Sequence, residues 1–298
     1  MGKDWKEWLL AVVIAWGIPW LAVGLIPVKM EEPPVETTAP TQQMIWVLDG
    51  EERREMALDD YLVGVLLGEL PGDFHKEAKM AQAVAARTYA LRTIQFGTKH
   101  PGFVCTDSGC CQSWAATEDF AEEAVSQARE AVELTQGLVL TYEGKLIDAT
   151  YFSCSGGRTE DAVAVWGGDV PYLKSVESPG EENATHYRDE VIFANSEFLK
   201  SLGLTGPVTI GRITYTKGDG VDTMAICGKT FTGTQLRSLL GLRSTAITIT
   251  LEPGQVRVTT QGFGHRVGMS QHGANAMAEK GHDFRQILAH YYPGTQIT

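Results

Sequence analysis

The longest run of apolar positions lies close to the start of the chain and covers residues 9–28. A helix needs about 20 apolar residues to cross a bilayer. We therefore expect a single transmembrane helix over 9–28, after a short cytoplasmic N-terminus at 1–8. A cleaved signal peptide would have a shorter apolar region and small residues before its cleavage site, and Pro27-Val28-Lys29 does not fit that pattern. With so few residues before the helix, the rest of the chain is expected outside the cytoplasm.

Proline and threonine are concentrated in residues 29–44, directly after the apolar run. This composition predicts an extended linker without a core of its own. Regular structure is expected from 45 to 298, beginning with a short strand at 45–48 and a turn at Asp49-Gly50.

Two helices that meet at a turn are predicted at the start of this folded region. Asp59 is the expected N-cap of the first helix, and Pro71 with Gly72 ends it. Glu69 then falls in the last turn, beside apolar leucines. The negative end of the helix dipole and the apolar surroundings both disfavour a charged carboxylate, so we expect the pKa of Glu69 to be raised. A carboxyl that stays protonated near neutral pH can serve as a general acid.

The second helix has an arginine on its apolar face. Met80, Val84, Arg87 and Leu91 follow the helical spacing and share one side. An arginine on an apolar stripe needs an anion or it costs stability, and Glu69 or an anionic ligand group could supply one. In the alternative interpretation Glu69 is a solvated helix-end residue and Arg87 extends to water. The spacing alone leaves both open.

Shorter helices and strands follow, and together they predict an α+β fold. A helix is expected over 117–136, followed by a β-hairpin with strands at 138–142 and 146–152. Helices are then expected at 195–204 and 235–240, and strands at 208–215, 222–226 and 246–251.

The composition narrows the classes of function. The formal net charge is −12, which argues against binding nucleic acid through bulk attraction. Five cysteines are present, so a monomer cannot pair all of them in disulfides. A zinc hydrolase would need three ligands and an open water position, and the sequence contains no His-Glu-x-x-His motif.

Several segments carry motif-like residues. Gly-Glu69-Leu-Pro and Ala-Gln82-Ala-Val-Ala-Ala-Arg87-Thr-Tyr89 resemble the Glu-(Met/Leu)-Pro and Ala-Gln-Ala-x-Ala-Ala-Arg-Thr-Tyr motifs of the sporulation stage II protein D family. The resemblance continues through 153–176, with its Ser-Gly-Gly and Trp-Gly-Gly signatures. It ends in 262–281, with Gly-His-x-Val-Gly-Met-Ser-Gln-x-Gly-Ala, and so covers most of the chain after the linker.

This resemblance implies a catalytic domain over 45–298, with a substrate cleft and a smaller strand-and-helix subdomain over about 185–255. Members of the family are membrane-anchored, single-pass peptidoglycan lytic transglycosylases. They cleave the β-1,4 bond between N-acetylmuramic acid and N-acetylglucosamine and leave a 1,6-anhydro end. One carboxylic acid suffices for this reaction, whereas ordinary glycosidases use two. Glu69 is the acidic residue within the matched motifs that suits the single-acid route.

The resemblance also implies roles for other residues. Arg87 would orient Glu69 or hold a carboxylate of the peptide stem. Substrate contacts are expected from Tyr89, Ser155, Lys174, His265 and Gln271. Arg266 and His272 occupy positions that vary in the family, and we assign them no role.

The same motifs resemble amidase-enhancer proteins, so a second function remains open. In that interpretation the protein is a non-catalytic wall-binding enhancer of an N-acetylmuramoyl-L-alanine amidase. In either case the implied partners are peptidoglycan glycan strands, an amidase and endopeptidase, and a polytopic membrane protein of the engulfment complex. The localisation implied is the cell membrane, with the catalytic domain outside and a role in engulfment during sporulation.

One loop after the second helix contains His100, Cys105, Cys110 and Cys111. Three states are open for it: a disulfide from Cys105 to one of the adjacent pair, free thiols, or a zinc ion bound by one imidazole and three thiolates. The ligand types favour a closed structural zinc site. Some members of the resembled family have a metal-bearing loop here and others lack one.

Overall fold

Two helices near the start of the described chain form the centre of its main core. The computed structural model describes residues 42–97 and 99–298. The predicted transmembrane helix and nearly all of the predicted linker lie outside these residues, and no helix within them is long and apolar enough to cross a bilayer. Eight helices are described: α1 (Leu58–Glu69), α2 (Lys76–Phe96), α3 (Glu122–Leu134), α4 (Ala162–Trp166), α5 (Asn195–Ser201), α6 (Gly233–Leu239), α7 (Gln271–Glu279) and α8 (Phe284–Tyr291).

Helix α2 lies at the middle of this core because its buried side is rich in alanine. Ala81, Ala83, Ala85 and Ala86 are fully buried. Small side chains allow neighbouring backbones to come close, and α2 contacts α1, α3, α7 and α8. The helices therefore pack around α2 on several sides, and α1 is held in place by its neighbours along most of its length.

The strands form small sheets around this helical core. They are β1 (Met44–Asp49), β2 (Glu52–Ala57), β3 (Phe103–Cys105), β4 (Leu140–Tyr142), β5 (Lys145–Leu146), β6 (Tyr151–Phe152), β7 (Arg188–Ala194), β8 (Ile210–Tyr215), β9 (Val221–Ile226), β10 (Lys229–Thr232), β11 (Ala246–Glu252), β12 (Gln255–Gln261), β13 (Met269–Ser270) and β14 (Gln296–Ile297). Three-stranded sheets have the orders β2-β1-β3, β10-β9-β8, β11-β12-β7 and β14-β4-β5. The fifth sheet is the parallel pair β13-β6.

That parallel pair joins two distant parts of the chain. Met269 lies opposite Tyr151, and Ser270 opposite Phe152. Gly268 makes this approach possible: its φ is +84°, and a Cβ on it would lie 2.1 Å from the carbonyl oxygen of Thr150. The β6 and β13 segments therefore lie side by side at one face of the main core.

Residues 191–258 contain a second hydrophobic core of their own. Strands β7–β12 and helices α5 and α6 surround a buried cluster whose largest members are Phe198, Met224 and Phe231. Thr232 caps α6, accepting a hydrogen bond from the backbone N–H of Gln235, whose side chain accepts one from the backbone N–H of Thr232. The core lies within the segment for which the sequence predicts a subdomain.

Three predicted element boundaries are corrected. The N-cap of α1 is Ala57, not Asp59, which lies in the first turn. Helix α3 begins at Glu122 because Thr117–Asp119 form a 3-10 turn and Phe120 is extended. The predicted strand 146–152 is split, because β5 pairs with β4 while β6 leaves to pair with β13.

A buried ion pair ties the second core to the main one. Arg266 and Glu160 are each about 1% exposed, and Arg266 Nη1 lies 3.4 Å from Glu160 Oε1. The other guanidinium nitrogens donate to the carbonyl oxygens of Ser155 and Gly218 at 2.7 and 2.6 Å. Glu160 in turn accepts from the backbone N–H of Gly220 at 3.1 Å. Because 218–220 form the β8–β9 turn, the pair fixes that hairpin against the 155–160 segment.

Candidate active site

An open cleft with a volume of about 660 Å³ lies where α1, the β6–β13 pair and the loop before α3 meet. Its floor and walls are formed by Glu69, Tyr89, Ser108, Gly109, Cys110, Cys111, Gln112, Thr150, Tyr151, Phe152, Ser153, Trp166, Phe263, Gly264, His265 and Gln271. Of the predicted catalytic and substrate-contact residues, the structure therefore brings together Glu69, Tyr89, His265 and Gln271, and two of the predicted zinc ligands, Cys110 and Cys111, line the same cleft.

Glu69 lies at the C-terminal end of α1 and is held by donors from two sides. Its Oε1 accepts a hydrogen bond of 2.8 Å from the backbone N–H of Ser113. Its Oε2 accepts one of 3.1 Å from the Gln271 side chain. The Glu69 carboxyl thus connects the end of α1 to the loop before α3 and to the first residue of α7.

The pKa of Glu69 is raised from its ordinary value, and the largest cause is burial. Hydrogen bonds from Ser113 and Gln271 lower the pKa, the Tyr151 hydroxyl acts in the same direction, and together they oppose this shift without cancelling it. The prediction of a raised pKa is met, although burial is its main cause. The same donors stabilise the carboxylate once the proton has left, which suits a group that must both give up and take back a proton.

The segment that supplies the Ser113 N–H is fixed against α1. Trp114 packs on Gly64, where a Cβ would lie 2.1 Å from the indole Nε1. The backbone N–H of Ala115 donates to the carbonyl oxygen of Gly64 at 3.0 Å. A glycine in the middle of α1 is therefore what allows this loop to reach the end of the same helix.

One wall of the cleft is aromatic. The ring of His265 lies 5.6 Å from that of Phe152 and 5.2 Å from that of Trp166, which is half exposed. Burial lowers the pKa of His265 to about 4, so its imidazole is neutral at physiological pH. Its Nδ1 accepts from the backbone N–H of Val267 at 3.1 Å, which leaves the ring proton on Nε2. His265 is thus a neutral, packed member of the wall.

Arg87 does not meet Glu69, so the prediction that it orients this carboxyl is wrong. Its side chain is buried and donates to the carbonyl oxygens of Val132, Thr135 and Leu138 at 3.2, 2.7 and 3.3 Å. These carbonyls are at the C-terminal end of α3, where a cation is favoured by the helix dipole. The anion that Arg87 needs is Asp59, at 3.5 Å.

Ser155 and Lys174 are also outside the residues that line the cleft. Ser155 is fully buried, and its backbone N–H and hydroxyl donate to Glu181 at 2.6 and 2.9 Å. Lys174 forms an ion pair with Asp169. Ser155 therefore supports the loop behind the cleft wall, and the predicted contacts of both residues with substrate are not supported by their positions.

The four residues predicted to bind zinc come together beside the cleft. The ligand atoms of His100, Cys105, Cys110 and Cys111 all lie within 4.8 Å of one another, and His100 Nε2 is 3.1 Å from Cys110 Sγ. In a tetrahedral zinc site with bonds of 2.0–2.3 Å, ligand atoms are about 3.3–3.8 Å apart. The four donors therefore fit a closed zinc site, and in this structure all of the cysteines are free thiols.

Three of the residues that act on Glu69 or lie beside it could not be chosen from the sequence. Ser113 contributes a backbone N–H, which leaves no trace in the identity of the side chain. Tyr151 lies in an apolar segment that indicates a buried strand, and Gln112 follows two cysteines in a loop. A signal for Gln112 and Ser113 was available only indirectly, because they follow the cysteine pair that the metal prediction had already placed near the cleft.

The fold and the cleft define an α+β protein built around a single carboxyl-bearing site. A family model described as "Stage II sporulation protein" matches residues 50–142. Stage II sporulation protein D of Bacillus subtilis is 39% identical over 81% of this chain and 74% of its own length. The protein of the same name from Bacillus amyloliquefaciens is 37% identical over 89% of this chain and 81% of its own length.

The chain belongs to the stage II sporulation protein D family. It is also similar to the amidase enhancer of Bacillus subtilis, at 30% identity over 80% of this chain and 40% of that longer protein. The family is one of sporulation and cell-wall remodelling, and in this respect the resemblance seen in the sequence is confirmed.

Proposed function

We propose that the protein is a peptidoglycan lytic transglycosylase in which Glu69 is the single acid and base. The observation that carries the proposal is the set of side chains that line the cleft. Among the described residues that line it, Glu69 is the only carboxyl. Two-carboxyl glycosidases need a second carboxyl about 5–9.5 Å from the first. His265 does not supply the missing base, because its Nδ1 lone pair accepts from the backbone N–H of Val267 and its Nε2 carries the ring proton.

The single-acid route balances without water. Glu69 gives its proton to the glycosidic oxygen as the bond from that oxygen to C1 of N-acetylmuramic acid breaks. The N-acetylglucosamine leaves with a hydroxyl. The 6-hydroxyl oxygen of the same N-acetylmuramic acid then bonds to C1, and its proton passes to Glu69. The sugar ends as a 1,6-anhydro ring, and Glu69 is ready for another cycle.

The donors around Glu69 support this use of one carboxyl. Burial raises the pKa of the carboxyl and so favours its protonated form, as a general acid requires. Ser113 and Gln271 then stabilise the carboxylate that forms, because each donates to a different oxygen. Gln271 is therefore assigned to Glu69 rather than to substrate.

The walls of the cleft suit a sugar chain. The half-exposed ring of Trp166 offers an apolar face on which a sugar ring can lie, and Tyr89 presents a hydroxyl from α2. Burial raises the pKa of Tyr89 to about 12, so this hydroxyl stays a hydrogen-bond donor at neutral pH. We assign both residues to substrate contact.

We assign a structural zinc ion to His100, Cys105, Cys110 and Cys111. When bound, the ion would cross-link the loop and supply no reacting group, because four protein ligands leave no open position. The residues that follow the last ligand are Gln112 and Ser113, and Ser113 contacts Glu69. The ligands thus hold in place the segment that carries the Ser113 donor to Glu69.

We further propose that the apolar segment 9–28 anchors the protein in the cell membrane, with the catalytic domain outside. The support is the length of that segment. The substrate is then the glycan strand of the wall, and the partners are an amidase, an endopeptidase and a polytopic membrane protein of engulfment.

Digestion of purified glycan strands tests the proposed activity. Mass spectrometry should find anhydro-muramyl ends, which are lighter by one water than hydrolysis products. Glu69→Gln should form none, because an amide cannot donate the required proton, while binding to intact walls persists. Glu133→Gln removes an exposed carboxyl on α3 and should be as active as the wild type. Normal turnover by Glu69→Gln would exclude Glu69 as the acid.

The similarity to an amidase enhancer favours one second candidate, a non-catalytic wall-binding enhancer of a partner amidase. This candidate predicts that the purified protein leaves glycan strands intact. It also predicts that Glu69→Gln stimulates an N-acetylmuramoyl-L-alanine amidase on intact walls as well as the wild type does. The lytic enzyme predicts glycan cleavage by the wild type with no amidase present.

A further inference from the structure

Gln112 is buried between two tyrosines next to the cleft. Its side-chain oxygen accepts from the Tyr61 hydroxyl at 3.3 Å, and its Nε2 donates to the Tyr151 hydroxyl oxygen at 2.7 Å. The same Nε2 lies 3.4 Å from the carbonyl oxygen of Ala86 on α2. Gln112 is about 1% exposed, so no solvent competes for these contacts. The amide is thus fixed with its nitrogen toward the cleft.

This orientation determines what the Tyr151 hydroxyl can do. Its oxygen already accepts the hydrogen bond from Gln112, so its own hydrogen is free to be donated elsewhere. Tyr151 lines the cleft together with Glu69, and its hydroxyl lowers the pKa of that carboxyl, as a nearby donor does. Burial raises the pKa of Tyr151 well above its ordinary value, which keeps the hydrogen on the hydroxyl.

We propose that Tyr151 is a further catalytic residue, which donates a hydrogen bond to Glu69, and that Gln112 is the positioning residue that directs this donation. The inference rests on the proposed function of Glu69 as acid and base. With Ser113 and Gln271, Tyr151 makes a third donor to the carboxylate that forms when the proton leaves. Preorganised donors of this kind stabilise charge at the moment it develops.

Gln112 also links the Tyr151 hydroxyl to the rest of the site. It lies directly between Cys111, a proposed zinc ligand, and Ser113, whose backbone donates to Glu69. One short segment therefore supplies a backbone donor to the carboxyl and the amide that orients a second donor. A glutamine with only a structural role would not need to donate a hydrogen bond to a residue that lines the cleft.

Tyr151→Phe tests the proposal, because it removes the hydroxyl and keeps the ring. We expect kcat on glycan strands to fall roughly tenfold to a hundredfold, with KM within about twofold. Loss of a donor raises the pKa of Glu69, so the alkaline limb of the pH profile should move to higher pH. A kcat and an alkaline limb equal to those of the wild type would overturn the role of Tyr151.

Tyr292→Phe is the matched control. Its hydroxyl donates to the carbonyl oxygen of Thr150 at 2.8 Å, and the residue is fully buried outside the cleft lining. It should lose stability to a similar extent as Tyr151→Phe while kcat and the alkaline limb stay unchanged. A fall of kcat in Tyr292→Phe as large as in Tyr151→Phe would mean that both changes act through stability, and it would overturn the proposal.

The pH profile of kcat should report the titration of Glu69 and not that of its neighbours. The titratable residues around this carboxyl are Tyr61, Tyr89, Cys110, Cys111, Tyr151 and His265. Burial raises the pKa of Tyr89 to about 12 and lowers that of His265 to about 4. Burial also raises the pKa of Tyr61 and Tyr151, and the proposed zinc ion would hold Cys110 and Cys111 as thiolates. None of them is therefore expected to change charge between about pH 5 and pH 8.

Gln112→Met tests the positioning role, because methionine keeps the length and removes the amide. Alone it should lower kcat and move the alkaline limb in the same direction as Tyr151→Phe. In the double variant with Tyr151→Phe it should add no further shift, because the donation that it directs is already gone. Additive shifts in the double variant would overturn the role of Gln112.

A titration of the Glu69 carboxyl by NMR separates this proposal from the proposed function. The pKa should be higher in Tyr151→Phe than in the wild type, and unchanged in Tyr292→Phe. If the wild type forms no anhydro ends but the titration shows this difference, the proposed function fails while the contact stands. If the wild type is active and the titration shows no difference, the inference about Tyr151 fails alone.

Discussion

The guanidinium of Arg87 lies 3.5 Å from the carboxylate of Asp59, in the first turn of α1. Glu69 is in the last turn of the same helix, and from residue 59 to residue 69 an α-helix rises about 15 Å. One helix therefore carries a partly buried ion pair at its N-terminal end and the cleft carboxyl at its C-terminal end. Arg87 joins this helix to the C-terminal end of α3 through three carbonyls.

Arg87→Lys should therefore impair stability more than chemistry. Lysine keeps the charge but cannot donate to three carbonyls and a carboxylate in the geometry of the guanidinium. We expect the free energy of unfolding to fall by about 2 kcal/mol, measured by chemical denaturation. At a temperature where the variant is folded, kcat on glycan strands should stay within about threefold of the wild type.

Arg129→Lys is the control for this change. Arg129 pairs with Asp60 at 3.2 Å on the neighbouring position of α1, but both side chains are about half exposed. An exposed pair contributes under about 1 kcal/mol, so the variant should be nearly as stable as the wild type. A loss of kcat in Arg87→Lys without loss of stability would return Arg87 to a role at the cleft.

Stability should depend on pH through Glu69. Because burial raises its pKa in the folded state above the unfolded value of 4.5, the folded state holds a proton that the unfolded state has lost between these two values. This contribution is full below the unfolded pKa, and stability falls as pH rises toward the folded pKa. Thermal unfolding from about pH 4 to about pH 8 should show a smaller decline in Glu69→Gln than in the wild type.

In the same scans Glu133→Gln should follow the wild type, since Glu133 is exposed. Glu69→Gln should then be inactive and, at neutral pH, at least as stable as the wild type. A variant less stable than the wild type at every pH would show that the amide disrupts the contacts to Ser113 and Gln271.

Removal of zinc should lower stability and activity together. Ser113 is close in the chain to Cys111, so a loosened loop withdraws a donor from Glu69. A chelator should lower the melting temperature and kcat, and added zinc should restore both. Cys105→Ser should reproduce the effect, while Cys227→Ser, outside the cluster, should bind zinc normally.

Elemental analysis of protein purified without added metal decides between the states of this loop. We expect about one equivalent of zinc. Less than about a tenth of an equivalent, with a Cys105 disulfide in the mass spectrum, would exclude the metal site and support the disulfide.

Breaking the buried pair of Glu160 and Arg266 should cost more than removing it. Arg266→Ala leaves Glu160 buried without a cation, which typically costs about 3–5 kcal/mol. The double change Glu160→Gln with Arg266→Met removes both charges and should recover part of that loss. Denaturation of the single and double variants measures the difference, and a double variant less stable than Arg266→Ala would contradict this account.

The sequence is informative where a property belongs to one element. The acidic residue at the end of a helix, the cysteine-rich loop and the Thr232 capping box are local patterns, and each lies where the pattern indicates. Arg87 shows the limit of such patterns. Its spacing correctly required an anion, but the choice between Asp59 and Glu69 depended on the direction in which α1 packs. The spacing of residues along α2 does not show in which direction the neighbouring helix α1 packs.

The contacts of Glu69 could not be predicted for a different reason. One donor is a backbone N–H, which any residue at 113 would supply, and another comes from Gln271 near the end of the chain. Tyr151 reaches the site because β6 leaves its predicted hairpin and pairs with β13. Such a two-residue parallel pairing is too short to leave a periodic pattern in the sequence.

The pairing of β6 with β13 has a consequence for biosynthesis. Glu69 is synthesised 202 residues before its partner Gln271, which directly follows β13. A chain that has not yet been synthesised as far as β13, or one from which a protease has removed that part, has Glu69 but lacks β13 and Gln271. On the proposed function, the protein is thus inert toward the wall until the chain has been synthesised through residue 271.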